Sequence, residues 1–409
     1  MDKSDLVWVA LSTLLVLMMT VPGLALFYGG LARPRHVLSV LSQVLGTCAL
    51  ALLLWFIYGY SLAFTTGSGA IGGLSRLFFS GLYVPGATPS MPLQGSIPEL
   101  AFAAFQATFA GITCALITGS FAERARFGAV MLFTGIWFTL AYLPIAHMVW
   151  APDGWLLQRG ALDFAGGTVV HINAGVAGLV CAWLIGPRRG YGREAMPPHN
   201  LPMNLSGAAL LWVGWFGFNA GSALAINDIA ILAFINTLLA TAAGILSWAL
   251  FERLYKGKAS LLGATSGAIA GLVGITPAAG FVAPGAAVLI GLLTAIACLL
   301  GVNQLKRCLH ADDAFDVFSI HGIGGISGAI LTGVFNSGSL GGRGAPGLIA
   351  LLTQTWRQFE GVIITILWSG LAAWIAYLIA NKVMRMRSSV EDEQRGLDQA
   401  DHGETAYQR

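Results

Sequence analysis

Two histidines stand in matching company 150 residues apart: DFAGGTVVHINAGVAG opens at Asp163 and carries His171, Gly175 and Gly178, and DAFDVFSIHGIGGISG opens at Asp313 and carries His321, Gly325 and Gly328. Both follow D-x7-H-x3-G-x2-G. A neutral imidazole offers a donor on one ring nitrogen and an acceptor on the other, so a pair can guide a small polar solute or relay a proton. The glycines four and seven residues beyond each histidine share its helix face, which lets a neighbouring helix approach the ring closely. Two other uses of the rings stay open: each can bond a carbonyl of an adjacent helix, or the two can ligate a metal. Ionisable groups in an apolar run are costly and usually functional, and their repetition in register weighs against the first use. Against the second, no nearby carboxylates or thiols complete a ligand set, and there is no nucleophile motif for an enzyme to use.

A second group is aromatic, with one hydroxyl. Phe105 and Phe109 lie one helical turn apart, Trp150 ends an apolar run, and Trp215, Phe218 and Ser222 climb a third run at roughly one-turn intervals. Aromatic faces attract cations, and a serine oxygen accepts a hydrogen bond that a cation with N–H groups can donate and a bare alkali ion cannot. The alternative is an aromatic belt at a lipid–water interface. Asp163, at the head of the first histidine segment, suits a helix cap as well as a buried functional carboxylate.

The elements that must hold these residues are membrane helices. The 409 residues are 56% apolar and 10% charged with mean hydropathy +0.74, whereas a soluble domain carries about 25% charged residues. A net charge of +3 gives no footprint for nucleic acid or another polyanion. Five cysteines, four inside apolar runs, predict no disulfide framework, and 53 glycines suit helices that pack closely in a bundle.

A spanning helix needs about 20 mostly apolar residues. Nine charge-free runs qualify, and a tenth, between Lys258 and Lys306, holds two helices separated by a turn from Thr276 to Pro284, which predicts eleven. The first run starts at residue 6 without a basic leader and reads as helix 1. When the loops are assigned alternately to two sides, all but five of the 22 Lys and Arg residues fall on one side, Lys306, Arg307 and Arg409 among them. The exceptions are Lys3, Arg76, Arg159, Arg343 and Arg357. The basic side is predicted to be cytoplasmic, with the N-terminus outside and the C-terminus inside. The histidine segments open helices 5 and 10; five is odd, so the copies enter from opposite faces and form an inverted repeat of helices 1–5 and 6–10, with helix 11 added. QATFAGITCALITGS from Gln106 and GATSGAIAGLVGITP from Gly263 echo the same repeat in helices 3 and 8. Helix directions then bring Phe105, Phe109, Trp150, Phe218 and Ser222 together near the outer face, with Trp215 deeper.

These stretches, with GLALFYGGL, YLPIAHMVW, GWFGFNAGS and SFAERARF, resemble the Amt/Mep/Rh ammonium transporters, the bacterial members above all, over essentially the whole chain. The resemblance implies an outer NH4+ site of Phe105, Phe109, Trp150 and Ser222, and a stacked phenyl gate of Phe109 and Phe218. It further implies a pore lined by His171, His321 and Trp215, with Asp163 as the buried carboxylate supporting entry. It implies a homotrimer in the bacterial cytoplasmic membrane, no cofactor, and a PII-type signal protein as cytoplasmic partner. The expected division is a transmembrane domain over 1–385, with pseudo-repeats about 6–190 and 200–336 and helix 11 about 360–384, and a regulatory tail over 386–409. By composition alone that tail reads as disordered; by resemblance it packs on the cytoplasmic face. Two other readings of the whole are a neutral NH3 or CO2 channel of Rh type and an ammonium sensor without net flux.

Overall fold

A computed structural model describes the chain except residues 87–89, 306–307 and 408–409, and except the side chain at 305. Lys306, Arg307 and Arg409, counted above on the basic side, lie outside the described residues. The apolar runs form helices α1 (Lys3–Leu31), α2 (Pro34–Phe64), α3 (Glu99–Phe121), α4 (Phe127–Gln158) and α5 (Gly167–Ile185) in the first half. The second half supplies α6 (Leu201–Ala223), α7 (Asp228–Lys256), α8 (Leu261–Ile275), α9 (Pro284–Gln304) and α10 (Phe318–Phe335), followed by α11 (Leu348–Met384). Among the described residues, ten of these are long and apolar enough to cross a membrane. The exception is α8, whose 15 residues rise only ~22 Å. It is buried along most of its length and ends where the turn was expected, before Pro284 opens α9. The protein is therefore an all-α, multi-pass membrane protein.

The two halves repeat their packing. Contacts α1–α3, α2–α3, α2–α4 and α3–α5 are matched by α6–α8, α7–α8, α7–α9 and α8–α10, while α1 packs on α6 across the halves. At the centre α5 crosses α10, and small residues make the crossing possible. A Cβ on Gly175 would sit 2.4 Å from the backbone of Gly322, and one on Gly325 would sit 2.8 Å from the Ile172 side chain. The copies run in opposite directions. Phe164, just before α5, and Phe315, just before α10, line cavities at opposite ends of the bundle.

Helix α11 corrects the expected start near residue 360. It begins at Leu348 and runs 37 residues. Glu360, whose charge bounded the apolar run, is tolerated inside the helix because Arg159 reaches it at 2.6 Å. At ~55 Å the helix exceeds the ~30 Å hydrocarbon thickness, and it packs across α4, α5 and α10 with Ile349, Leu352, Leu367 and Leu371 exposed on its other face, as lipid contact demands.

The tail corrects the disorder expected from composition. It forms α12 (Val390–Arg395), capped by the Ser389 hydroxyl accepting from the Asp392 amide at 3.1 Å, and α13 (Leu397–His402). Asp398 accepts from the Ser39 amide at 2.8 Å, the Leu397 amide donates to His36 Nδ1 at 3.2 Å, and Arg387 pairs with Glu393 at 2.6 Å. Polar groups that lack an apolar core to fill thus find partners at the ends of the membrane helices.

Candidate functional site

At one end of the bundle a cavity of about 290 Å3 opens between α2, α3, α4 and α6, lined by Tyr60, Phe64, Phe102, Gln106, Trp150, Phe164 and Ser222 among others. Among the described residues one carboxylate lines it, and that one is engaged: Glu99 is held by Arg76 at 2.9 Å and accepts from the Tyr60 hydroxyl at 2.9 Å. Five aromatic rings share the wall with Gln94, Gln106 and Ser222, and ring faces attract a cation without a counter-charge.

Trp150 is fixed at the last turn before α4 breaks. Its Nε1 donates to the Asp163 carbonyl at 3.0 Å. Three residues earlier, His147 is buried with its ring nitrogens 3.0 and 2.8 Å from the carbonyls of Ala63 and Ser68, which pins the end of α4 to the chain leaving α2. The Asp163 carboxylate itself caps α5. It accepts from the amides of Gly166 (2.8 Å), Gly167 (2.6 Å), Thr168 (2.8 Å) and Val169 (3.2 Å) and from the Thr168 hydroxyl. The turn depends on Gly166, which sits at φ +116° where a side chain would also strike Val170. Both carboxylate oxygens thereby accept from this chain's own donors, and they shape the start of the helix.

Ser222 closes the last turn of α6. Its hydroxyl donates to the Phe218 carbonyl at 2.8 Å, which spends its only proton and leaves its lone pairs as acceptors facing the cavity. Beneath the cavity Phe109 and Phe218 stack with centroids 4.2 Å apart and planes at 17°. Phe109 also meets Trp150 edge-on at 5.8 Å. Phe105 and Phe109, both expected at the entry, are buried outside the cavity lining, and their rings meet edge-on at 5.0 Å.

Past the phenyl pair come the imidazoles. His171 lies 5.9 Å from Phe218, stacks on Trp215 at 5.4 Å and on His321 at 5.3 Å, and the two Nδ1 atoms are 3.2 Å apart. At that spacing the two Nδ1 atoms lie within hydrogen-bonding distance, with one able to donate and the other to accept. The two rings thus face each other, and His171 Nε2 is buried with no hydrogen-bond partner among the described residues. Each ring sits on a widened helical turn, Gly167–Ile172 and Phe318–Gly322, of the kind that re-aims side chains at functional sites.

Two contributors escaped the reading of the sequence. Thr276 accepts from Trp215 Nε1 at 2.9 Å and donates to the Leu272 carbonyl, which fixes the indole against His171. Its only signal was a place in the turn after α8. Gln106 lies in the quoted α3 stretch without a role and lines the cavity.

At the opposite end a cavity of about 250 Å3 is lined by Arg188, Glu252, Lys256, Asn303, Phe315 and Asp316 among others. Arg188 bonds Asp312 at 2.9 Å and lies 3.6 Å from Glu123, which Arg33 reaches at 2.6 Å. Aromatic cavity, phenyl pair, imidazole pair and charged cavity thus follow one another through the bundle.

The Ammonium Transporter Family matches residues 7–407. The chain is 46% identical to the ammonium transporter of Bacillus subtilis (strain 168), across 100% of this chain and 99% of that one, and 44% identical to the ammonium transporter of Aquifex aeolicus, across 100% and 94%. Among solved structures it is similar to Saccharomyces cerevisiae Mep2, with 37% identity, a TM-score of 0.85, and 96% and 88% of the two chains covered. It is likewise similar to a sensor Amt protein, with 28% identity, a TM-score of 0.89, and 98% of both chains covered. With sequence matched from end to end and the same helical scaffold around the aromatic and imidazole column, the chain belongs to the ammonium transporter family.

Proposed function

We propose that this protein transports ammonium: NH4+ is recruited at the aromatic cavity by Trp150, Ser222 and the edge of Phe109, loses its proton at the Phe109–Phe218 gate, and crosses as NH3 past His171, Trp215 and His321. The observation that carries the reading is the stacked phenyl pair between a cation-attracting cavity and two imidazoles within hydrogen-bonding distance of each other. A bare ammonium ion beneath two phenyl rings is far costlier to bury than neutral ammonia. Deprotonation above the gate removes that cost. The imidazole pair then supplies a donor and an acceptor to a passing NH3, and the approach of its two Nδ1 atoms suits it to relay the proton released above.

The Lys and Arg distribution supports a topology in which the aromatic cavity faces outward and the charged cavity the cytoplasm. The docked tail, 386–409, is then a cytoplasmic surface suited to regulation by a PII-type protein, beside the 1–385 transmembrane domain. Relatives named as bacterial transporters support a place in a bacterial cytoplasmic membrane, and the family resemblance supports a homotrimer. Sensing is a second reading, favoured by the likeness to a sensor Amt protein.

Reconstitution in liposomes tests the proposal. A transient current or internal pH change on an ammonium jump, absent with K⁺ and lost in His171→Ala, is the expected result. Folded protein that binds ammonium but passes neither charge nor ammonia would overturn transport in favour of sensing.

A further inference from the structure

The geometry points to Gln106 as a second hydrogen-bond acceptor for ammonium, standing between the aromatic cavity and the phenyl gate; this rests on the reading of that cavity as the ammonium entry. Gln106 lines the cavity with Trp150 and Ser222 yet is only 9% exposed, and its Oε1 is buried with no hydrogen-bond partner among the described residues. Buried amides are ordinarily paired, and an unpaired one calls for a physical reason. Its place on α3 supplies one. Gln106 lies one turn beyond the cavity-lining Phe102 and three residues before Phe109, so an ion leaving the cavity for the gate passes its level.

The chemistry fits that place. Ammonium has four N–H donors, and each must exchange a water for a protein acceptor as the ion descends. Ser222 provides one acceptor, because its own proton is committed to the Phe218 carbonyl. Trp150 provides an aromatic face, which stabilises charge without accepting along a fixed direction. The facing carboxylate, Glu99, is already neutralised by Arg76. A neutral amide oxygen adds the next directed acceptor without trapping the cation as an unpaired carboxylate would. Gln106 is thus a specificity-determining residue for the number of N–H groups. Methylammonium, with three, depends on it less than ammonium.

The test is ammonium and methylammonium transport by the full-length protein in liposomes, comparing wild type, Gln106→Met and Gln106→Glu, with Ser222→Ala as reference. Met keeps the length and removes the acceptor; Glu keeps an acceptor oxygen. Gln106→Met is expected to raise the half-saturating ammonium concentration about tenfold or more, with a smaller rise for methylammonium and maximal current kept within about twofold. Gln106→Glu is expected to match or lower the wild-type half-saturation. Unchanged half-saturation in Gln106→Met, or an equal rise for both substrates, overturns the proposal. So does a fall in maximal current alone, which marks a merely structural side chain. If the Met variant fails to fold, a tenfold rise in Gln106→Glu with normal maximal current overturns it equally. A wild type that passes no ammonium, or a Ser222→Ala variant indistinguishable from it, strikes the entry-site reading beneath and is told apart from a failure of Gln106 alone.

Discussion

The cavities at the two ends of the bundle sit on equivalent halves of an inverted repeat and are built from opposite materials. One carries the rings of Tyr60, Phe64, Phe102, Trp150 and Phe164, and its one carboxylate among the described residues is paired; the other holds Arg188, Glu252, Lys256 and Asp316. The repeat constrains what the halves must share for α5 and α10 to cross, namely Gly175 against Gly322 and Gly325 against Ile172. It leaves the loops at each mouth free to diverge. The aromatic end therefore suits selection of a cation by ring faces and one hydroxyl, and the charged end suits fixing the ends of α1, α3, α5 and the chain before α10 to one another.

If that division holds, breaking the charged end destabilises the fold without altering recognition. Arg188→Leu strands the buried carboxylate of Asp312 and leaves Glu123 to Arg33 alone. The expected cost is about 3–5 kcal/mol, read as a lowered unfolding temperature in detergent, with unchanged half-saturation for ammonium in whatever folds. At the aromatic end, Asp163→Ala leaves the first amides of α5 without their acceptor and loosens the turn whose residue-163 carbonyl holds Trp150. About 3 kcal/mol of stability should go, and transport with it, whereas Asp163→Asn, which keeps one acceptor oxygen, should lose less by the same assay.

Ser222→Ala is expected to act on recognition alone. Removing one acceptor to a cation should raise half-saturation about tenfold and narrow the preference over K⁺ in ammonium-jump currents, with little change in melting.

The smallest effect concerns acid. Asp312 lies in the loop before α10; burial pushes its carboxyl up, but the Arg188 guanidinium outweighs that and holds it below the ordinary 3.8. Folding therefore favours the charged form. That contribution is present in full above the unfolded value and is lost as pH falls through the lower folded one. Circular dichroism during acid titration should show Asp312→Asn with a flatter loss of stability below pH 3.8 than wild type.

Most of the scaffold was legible because lipid imposes a length and a polarity that charges interrupt. The Thr276–Pro284 turn, the crossing glycines and the register of the two histidine segments follow from spacing alone. The same rule misled at Glu360, because a helix carries a charge where a partner such as Arg159 reaches it, and in the tail, because composition does not reveal that Ser39 and His36 wait for Asp398 and Leu397. At the site, residue types and faces pointed to Trp150, Ser222, Phe109, Phe218 and the two histidines. Depth was harder to read: Phe105 and Phe109 are both buried outside the cavity lining, because one helical turn fixes which face a ring shares and not how deep that face lies. Thr276 and Gln106 were silent because a threonine after a helix and a glutamine within one are ordinary until their partners, or the lack of one, are seen in space.

The central claim is that ammonium is selected at the aromatic mouth, and an experimental structure of the protein with methylammonium tests it most directly. The account predicts a single ordered cation against Trp150, within hydrogen-bonding distance of Ser222 Oγ. A cation held instead in the charged cavity beside Glu252 and Asp316, with the aromatic cavity empty at saturating concentration, would contradict it.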